Sequence, residues 1–130
     1  MRILLDTHIL LWALDSPHRL PASVRDDLAD PANDVLFSSA SIWEIAIKAA
    51  QGRHDFKARP ALTWRGAIEA GFEELPVRST DAIAVLDLPV LHKDPFDRLL
   101  LAQAIVCPAW LYTADRQLES YPGPVHYIQL

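Results

Sequence analysis

The chain has 130 residues, 51% hydrophobic and 22% charged, with a formal net charge of −5 and a pI near 5.4. That length predicts one domain over residues 1–130, large enough to bury roughly two-thirds of its unfolded surface. The acidic balance argues against a general nucleic-acid coat while leaving room for local basic contacts, and the single cysteine, Cys107, excludes an internal disulfide and fits a reducing compartment.

The apolar run at the N-terminus is broken by Asp6 and His8 and is followed by no small-residue cleavage site, so it is not expected to be a signal peptide. Nothing approaches the ~20 apolar residues of a membrane span. A cytoplasmic protein without a membrane partner is therefore expected. Ile3–Leu5 is short and uniformly apolar, which predicts a central strand buried on both faces and ending at Asp6. The carboxyl edge of an open α/β sheet is where ligands and chemistry collect. The alternative is that Asp6 or Thr7 caps the helix that follows.

Ile9 to Leu14 is apolar almost all round and predicts a covered helix, with core packing or a second subunit as its cover. Asp15-Ser16-Pro17 ends it, and Leu20, Val24 and Leu28 predict a second, amphipathic helix led by Pro21. Val35-Leu36-Phe37 is the next short apolar run, and Ser38, Ser39 or Ser41 could cap the helix after it. Ile42, Ile45, Ala46 and Ala49 form one face of that helix, with Gly52 as its stop.

Arg53 to Pro60 lacks periodicity and predicts a loop. Trp64, Ala67, Ile68 and Gly71 mark another helix, and Phe72 to Leu75 a strand bounded by Pro76. Ser79-Thr80-Asp81 is expected to cap a helix through about Leu86. Asp94-Pro95 starts a nearly apolar helix from Phe96 to Val106, with Asp as cap and Pro at the first helical position. Ala109 to Tyr112 predicts a strand, Thr113-Ala114-Asp115 a turn, and Val125 to Ile128 an edge strand behind Pro122 and Pro124. Alternating β and α signals imply an α/β fold with a parallel sheet and helices on both faces.

Four acids fall where chemistry could use them. Asp6 follows the first strand, Glu44 lies one turn into the helix after the second, Asp97 opens an apolar helix and Asp115 follows the fourth strand. Each has a structural alternative. Ser41-x-x-Glu44 is formally a capping box, and Glu44 can pair with Lys48 at i+4. An acid at Asp97 suits the helix dipole, and Asp115 can cap a short helix through Leu118. Asp97, however, shares a face with Leu101 and Ala104, and carboxylates are rarely buried without a partner.

Taken jointly, the acids would repel: a pair ~5 Å apart costs roughly 3 kcal/mol at an effective dielectric near 20. No Lys, Arg or His spacing supplies an internal cation for all of them. A hard divalent cation such as Mg²⁺ or Mn²⁺ is the natural partner, because it takes one or two carboxylates, keeps water and accepts phosphate oxygens. Such a site suits phosphoryl chemistry.

The combination Leu5-Asp6-Thr7, Ser41-x-Trp43-Glu44-Ile45, His92-x-Asp94-Pro95-Phe96-Asp97-Arg98-Leu99 with Ala102-Gln103-Ala104, and Thr113-Ala114-Asp115 resembles the PIN-domain family of metal-dependent ribonucleases. Within that family it is most similar to VapC-type toxins of bacterial toxin-antitoxin pairs. The resemblance implies a three-layer α/β/α fold and endonucleolytic RNA cleavage with Mg²⁺ or Mn²⁺. It places the family's four acids, as catalytic and metal-binding residues, on Asp6, Glu44, Asp97 and Asp115. Asp94 also matches, but its cap position favours a structural role. His8 departs from the Asn or Ser of many relatives. The resemblance further implies a homodimer and a small antitoxin partner.

Five cationic residues, Lys48, Arg53, Lys57, Arg59 and Arg65, fall within Lys48 to Arg65 against one acid, Asp55. They could contact RNA phosphates or form a solvated face. A non-catalytic RNA- or protein-binding module of the same fold is the competing reading. A phosphatase of the haloacid-dehalogenase type would need a second Asp where this chain has His8. A receiver-like phosphoacceptor would need an acidic pair after the first strand.

Overall fold

The computed structural model describes residues 1–130. In β1 (Arg2–Leu5), Ile3 and Leu5 join the core on one side of the sheet while Leu4 joins the core on the other, and all three are fully buried. The same split recurs in β2 (Asp34–Ser38), with Val35 and Phe37 opposite Leu36, and in β4 (Trp110–Thr113), with Tyr112 opposite Leu111. Side chains alternate across a strand, so an unbroken apolar run is what a strand covered on both faces requires.

With β3 (Glu73–Leu75) and β5 (Val125–Tyr127) these strands form one all-parallel sheet in the order β3-β2-β1-β4-β5. Leu4 pairs with Leu36 on one side and Leu111 on the other. From β1 the chain winds outward through β2 to β3, then returns to the opposite side of β1 for β4. The strand order therefore reverses between β1 and β4, where open α/β sheets form their ligand crevice.

One face of the sheet is covered by α1 (Thr7–Asp15), α2 (Ala22–Ala29) and Ala67 of α4 (Pro60–Glu69). The other is covered by α6 (Pro95–Val106) and Leu118 of α7 (Arg116–Glu119). These three layers make the α/β/α architecture. The remaining helices are α3 (Ser39–Ala50) and α5 (Ser79–Ala84). Trp43 of α3 meets Phe96 of α6 edge-on, 5.3 Å between ring centres, next to Glu44 and Asp97 in sequence. No helix is long and apolar enough to cross a membrane.

Several details differ from the sequence expectation. In α4, Trp64 and Ile68, whose spacing marks the helix, are 44% and 45% exposed, while Ala67 and the polar Thr63 are buried. α1 approaches α4 at Gly66, where an added Cβ would lie 3.7 Å from Leu14 Cδ1. In α3 the cap is Ser38, whose Oγ accepts the Ala40 N–H at 3.0 Å, so Ser41-x-x-Glu44 is not a capping box. Pro21 precedes α2 as its cap residue rather than opening it. The helix expected to run to Leu86 ends at Ala84 and passes into a 3₁₀ turn, Val85–Asp87; the Arg78 N–H reaches back to Asp81 Oδ2 at its start. The expected stop of α3 holds, since Gly52 takes φ +71°, a conformation that disfavours side chains.

Candidate active site

Strand ends bring the first and last acids together. Asp6 is the residue after β1, and its backbone N–H donates to Tyr112 O of β4 at 3.0 Å. Its Oδ1 caps α1 by accepting the Ile9 N–H at 2.9 Å, while Oδ2 accepts from Thr113 Oγ1. Thr113 is fully buried and its hydroxyl also accepts the Asp115 N–H at 3.0 Å. One threonine thus couples Asp6 to Asp115 across the point where the strand order reverses.

Glu44 approaches from α3. Its Oε1 accepts from Thr7 Oγ1 at 2.7 Å, and its Oε2 pairs with Lys48 Nζ at 3.0 Å, as the i+4 spacing allows. Thr7 also stands 3.0 Å from Ser41 Oγ. The face of α3 turned inward therefore carries Ser41, Glu44 and Ile45, whereas Ile42, Ala46 and Ala49 are only half-buried.

Asp97 enters from the first turn of α6, with Asp94 as the cap of that helix; Asp94 Oδ1 accepts the Phe96 N–H at 2.9 Å. Asp115 caps α7 through Oδ1 to the Gln117 N–H, also at 2.9 Å. The structural alternatives for Asp6 and Asp115 are thus both realised, and do not compete with a site role, because each cap occupies one carboxylate oxygen only.

The acids Asp6, Glu44, Asp94, Asp97 and Asp115 line one cavity of about 390 Å³, together with Thr7, His8, Trp12, Lys48, Ala114 and Leu130. Burial and mutual repulsion leave the acids undercompensated. Asp97 is pushed up to about 7, first by burial and then by the charges of Asp94, Asp6 and Asp115. Asp6 is also raised, chiefly by burial, with the Thr113 and Ile9 hydrogen bonds opposing. Asp97 Oδ1 is the only oxygen of the four predicted acids that takes no protein hydrogen bond or ion pair.

No single basic residue partners all four acids, but two basic residues partner three of them. Besides Lys48, His92 stands between two of them, its Nε2 2.9 Å from Asp97 Oδ2 and 3.1 Å from Asp115 Oδ2. His92 forms part of the motif read from the sequence but was assigned no role there; a histidine five residues before an acid has no fixed relation to it across a loop. Thr113 was missed for a similar reason, since its partner is 107 positions away.

The donor set is oxygen-rich, and two of its carboxyls, Asp6 and Asp97, are raised chiefly by burial, an environment that a hard divalent cation relieves. The ligand-type atoms of His92, Asp94 and Asp97 lie within 4.8 Å of one another. In that trio His92 Nε2 and Asp94 Oδ1 are engaged in hydrogen bonds, whereas Asp97 Oδ1 and Asp94 Oδ2 take none.

Of the cationic residues singled out as phosphate contacts, only Lys48 lines this cavity. Arg53 pairs with Asp55 at 3.2 Å in the loop after α3. Lys57 and Arg59 border a separate hollow beside Leu14 and Leu62.

Residues 3–124 match the family model described as PIN domain. Over 123 residues the chain is 30% identical to Ribonuclease VapC22 of Mycobacterium tuberculosis, covering 94% of this chain and 93% of that one. The fold superposes on VapBC2 from Rickettsia felis, solved bound to a DNA fragment from its promoter, with TM-score 0.72 at 18% identity, covering 99% of this chain and 100% of the other. VapBC-1 of nontypeable Haemophilus influenzae gives TM-score 0.63 at 14% identity, over 98% of both chains. VapBC-5 of M. tuberculosis gives 0.63 at 19%, over 99% of this chain and 98% of that one.

Proposed function

The chain belongs to the PIN domain family, and on that footing we propose that it is a metal-dependent endoribonuclease acting in the cytoplasm as the toxin of a toxin-antitoxin pair. The observation that carries this reading is the convergence of Asp6, Glu44, Asp97 and Asp115 on one cavity at the point where the sheet order reverses. Four acids from four separate segments, two of them raised in pKa, form a costly arrangement for a module that only docks partners.

Asp6, Asp97 and Asp115, with Glu44 beside them, would hold Mg²⁺ or Mn²⁺. When bound, the ion would supply an activated water and neutralise charge building on the phosphate. The protein's own part is to present these oxygens in fixed positions: Asp6 through Ile9 and Thr113, Asp115 through Gln117 and Thr113, Glu44 through Thr7 and Lys48. Lys48 at the cavity wall, with Arg53, Lys57 and Arg59 further out, would attract the RNA backbone.

The partners of this reading are RNA, a second copy of the chain and a small antitoxin. The last is supported by the structural neighbours, which are VapBC proteins, one of them described as a member of the VapBC family of toxin-antitoxin systems. Half-buried Leu11, Trp12, Ala13 and Leu14 on α1 leave apolar surface for a protein contact.

The deciding experiment is expression of the chain alone and together with the neighbouring small open reading frame. Growth arrest that the second frame relieves, and that Asp6→Asn and Asp97→Asn each abolish with the fold retained, is expected. Harmless expression of the unaltered chain, or arrest that persists in Asp97→Asn, would overturn the nuclease-toxin reading in favour of a binding module.

A further inference from the structure

His92 is 8% exposed and sits on the loop before α6, in the midst of the acids without being one of the four. Its ring is held from three directions. Nε2 faces Asp97 Oδ2 at 2.9 Å and Asp115 Oδ2 at 3.1 Å, and the Asp94 N–H points at Nδ1 from 3.4 Å. A ring whose Nδ1 accepts carries its proton on Nε2, which is the atom directed at the two carboxylates. The main chain is anchored as well: the hydroxyl of buried Tyr121 accepts the N–H groups of His92, at 2.9 Å, and of Leu91, at 3.2 Å.

We propose that His92 is a positioning residue that clamps Asp97 to Asp115 and thereby sets the spacing of the cation site, with Tyr121 fixing the clamp from behind. The proposal rests on the metal-site reading above. Asp97 comes from α6 and Asp115 from the turn after β4, and no direct bond joins these segments at the site. The imidazole is the one protein group that touches both carboxylates. By engaging Oδ2 of each it turns Asp97 Oδ1 toward the cavity as a free donor. Partners of this kind, which orient a ligating carboxylate without binding the ion, typically change metal affinity by 10- to 100-fold when removed.

Titration of the full chain with Mn²⁺ by calorimetry tests this, with His92→Phe, His92→Gln, Tyr121→Phe and Asp97→Asn compared at matched thermal stability. His92→Phe is expected to weaken Mn²⁺ binding at least tenfold. His92→Gln, whose amide can still donate, should stay within about threefold of the unaltered chain, and Tyr121→Phe should fall between. Equal affinity in His92→Phe and the unaltered chain would overturn the clamp while leaving the acid site standing. Failure of the unaltered chain to bind Mn²⁺ would overturn the metal-site reading itself. The clamp is then decided by imidazole ¹⁵N spectra of the metal-free protein: a slowly exchanging Nε2 proton that Asp97→Asn and Asp115→Asn each perturb supports it, and an Nδ1–H ring overturns it.

Discussion

Thr113 Oγ1 lies 2.5 Å from Asp6 Oδ2, so the carboxylate after β1 is held by a side chain of the neighbouring strand β4. The same hydroxyl accepts the Asp115 N–H, making it the joint between two acids 109 positions apart in the chain. Replacement by valine keeps the shape and removes both bonds. Thr113→Val is expected to cost about 1–3 kcal/mol, because buried polar partners are left unpaired, and to weaken Mn²⁺ binding roughly tenfold. Urea denaturation and calorimetry measure the two effects. Thr113→Ser, which keeps the hydroxyl, should restore most of the metal affinity.

The raised pKa of Asp97 links folding, pH and metal uptake. Its folded value, about 7, lies above that of the unfolded chain, so the folded state holds a proton that the unfolded state releases. The associated stabilisation is complete below the ordinary carboxylate range and is lost as pH rises from about 4 through 7. Asp6 acts in the same direction. The metal-free protein should therefore lose thermal stability over that window, and Asp97→Asn should flatten the decline. Saturating Mg²⁺ should oppose it, since a cation favours the deprotonated carboxylates. Near pH 6 metal binding should expel protons, measurable as a dependence of the calorimetric enthalpy on the buffer's ionisation enthalpy.

Gln103 is a buried polar residue on an otherwise apolar stretch of α6, only 1% exposed. Its Oε1 accepts from Ser38 Oγ, the residue that caps α3, and its amide points at Leu75 O and Pro76 O, each 3.4 Å away. This contact fastens the helix carrying Asp97 to the start of the helix carrying Glu44. Gln103→Leu is expected to destabilise the fold by about 1–3 kcal/mol through the unpaired Ser38 and carbonyl groups. Chemical denaturation checks this, and Gln103→Leu combined with Ser38→Ala should cost less than the sum of the single changes.

The cationic residues of α3 and of the loop after it separate by position. Lys48 shares the acidic cavity, whereas Arg53 is paired in a loop and Arg59 lies at a different hollow. If all contact the RNA backbone, each alanine substitution should lower the slope of log affinity against log salt by about 0.7. The expected order of effect is Lys48→Ala first, with Arg53→Ala and Arg59→Ala smaller. Filter binding of RNA to the Asp97→Asn chain across a salt series measures it, and an unchanged slope for Arg53→Ala and Arg59→Ala would remove the loop from the RNA path.

Much of the architecture was legible in local chemistry. Unbroken apolar triplets at Ile3–Leu5 and Val35–Phe37 announced strands covered on both faces, because a strand's side chains alternate and both faces here meet helices. Asp94-Pro95 marked the start of α6, since capping and a fixed φ act within a few residues. The acids Asp6 and Asp115 could likewise be placed at strand ends, and a parallel sheet puts all such ends on one edge. Apolar spacing located α4 but not its inward face, which carries Thr63 and Ala67 while Trp64 is 44% exposed, because the inward side is set by the elements that pack on it.

What only the tertiary structure decided is how the acids are held. Thr113 against Asp6, Thr7 against Glu44, and His92 between Asp97 and Asp115 join groups separated by five to more than a hundred residues. The sequence by itself determined which side chains stand at the ends of which elements, through forces that act over one turn or one strand. Their hydrogen bonds reach only about 3 Å and have no sequence period. They exist because the reversal of strand order beside β1 brings those ends together.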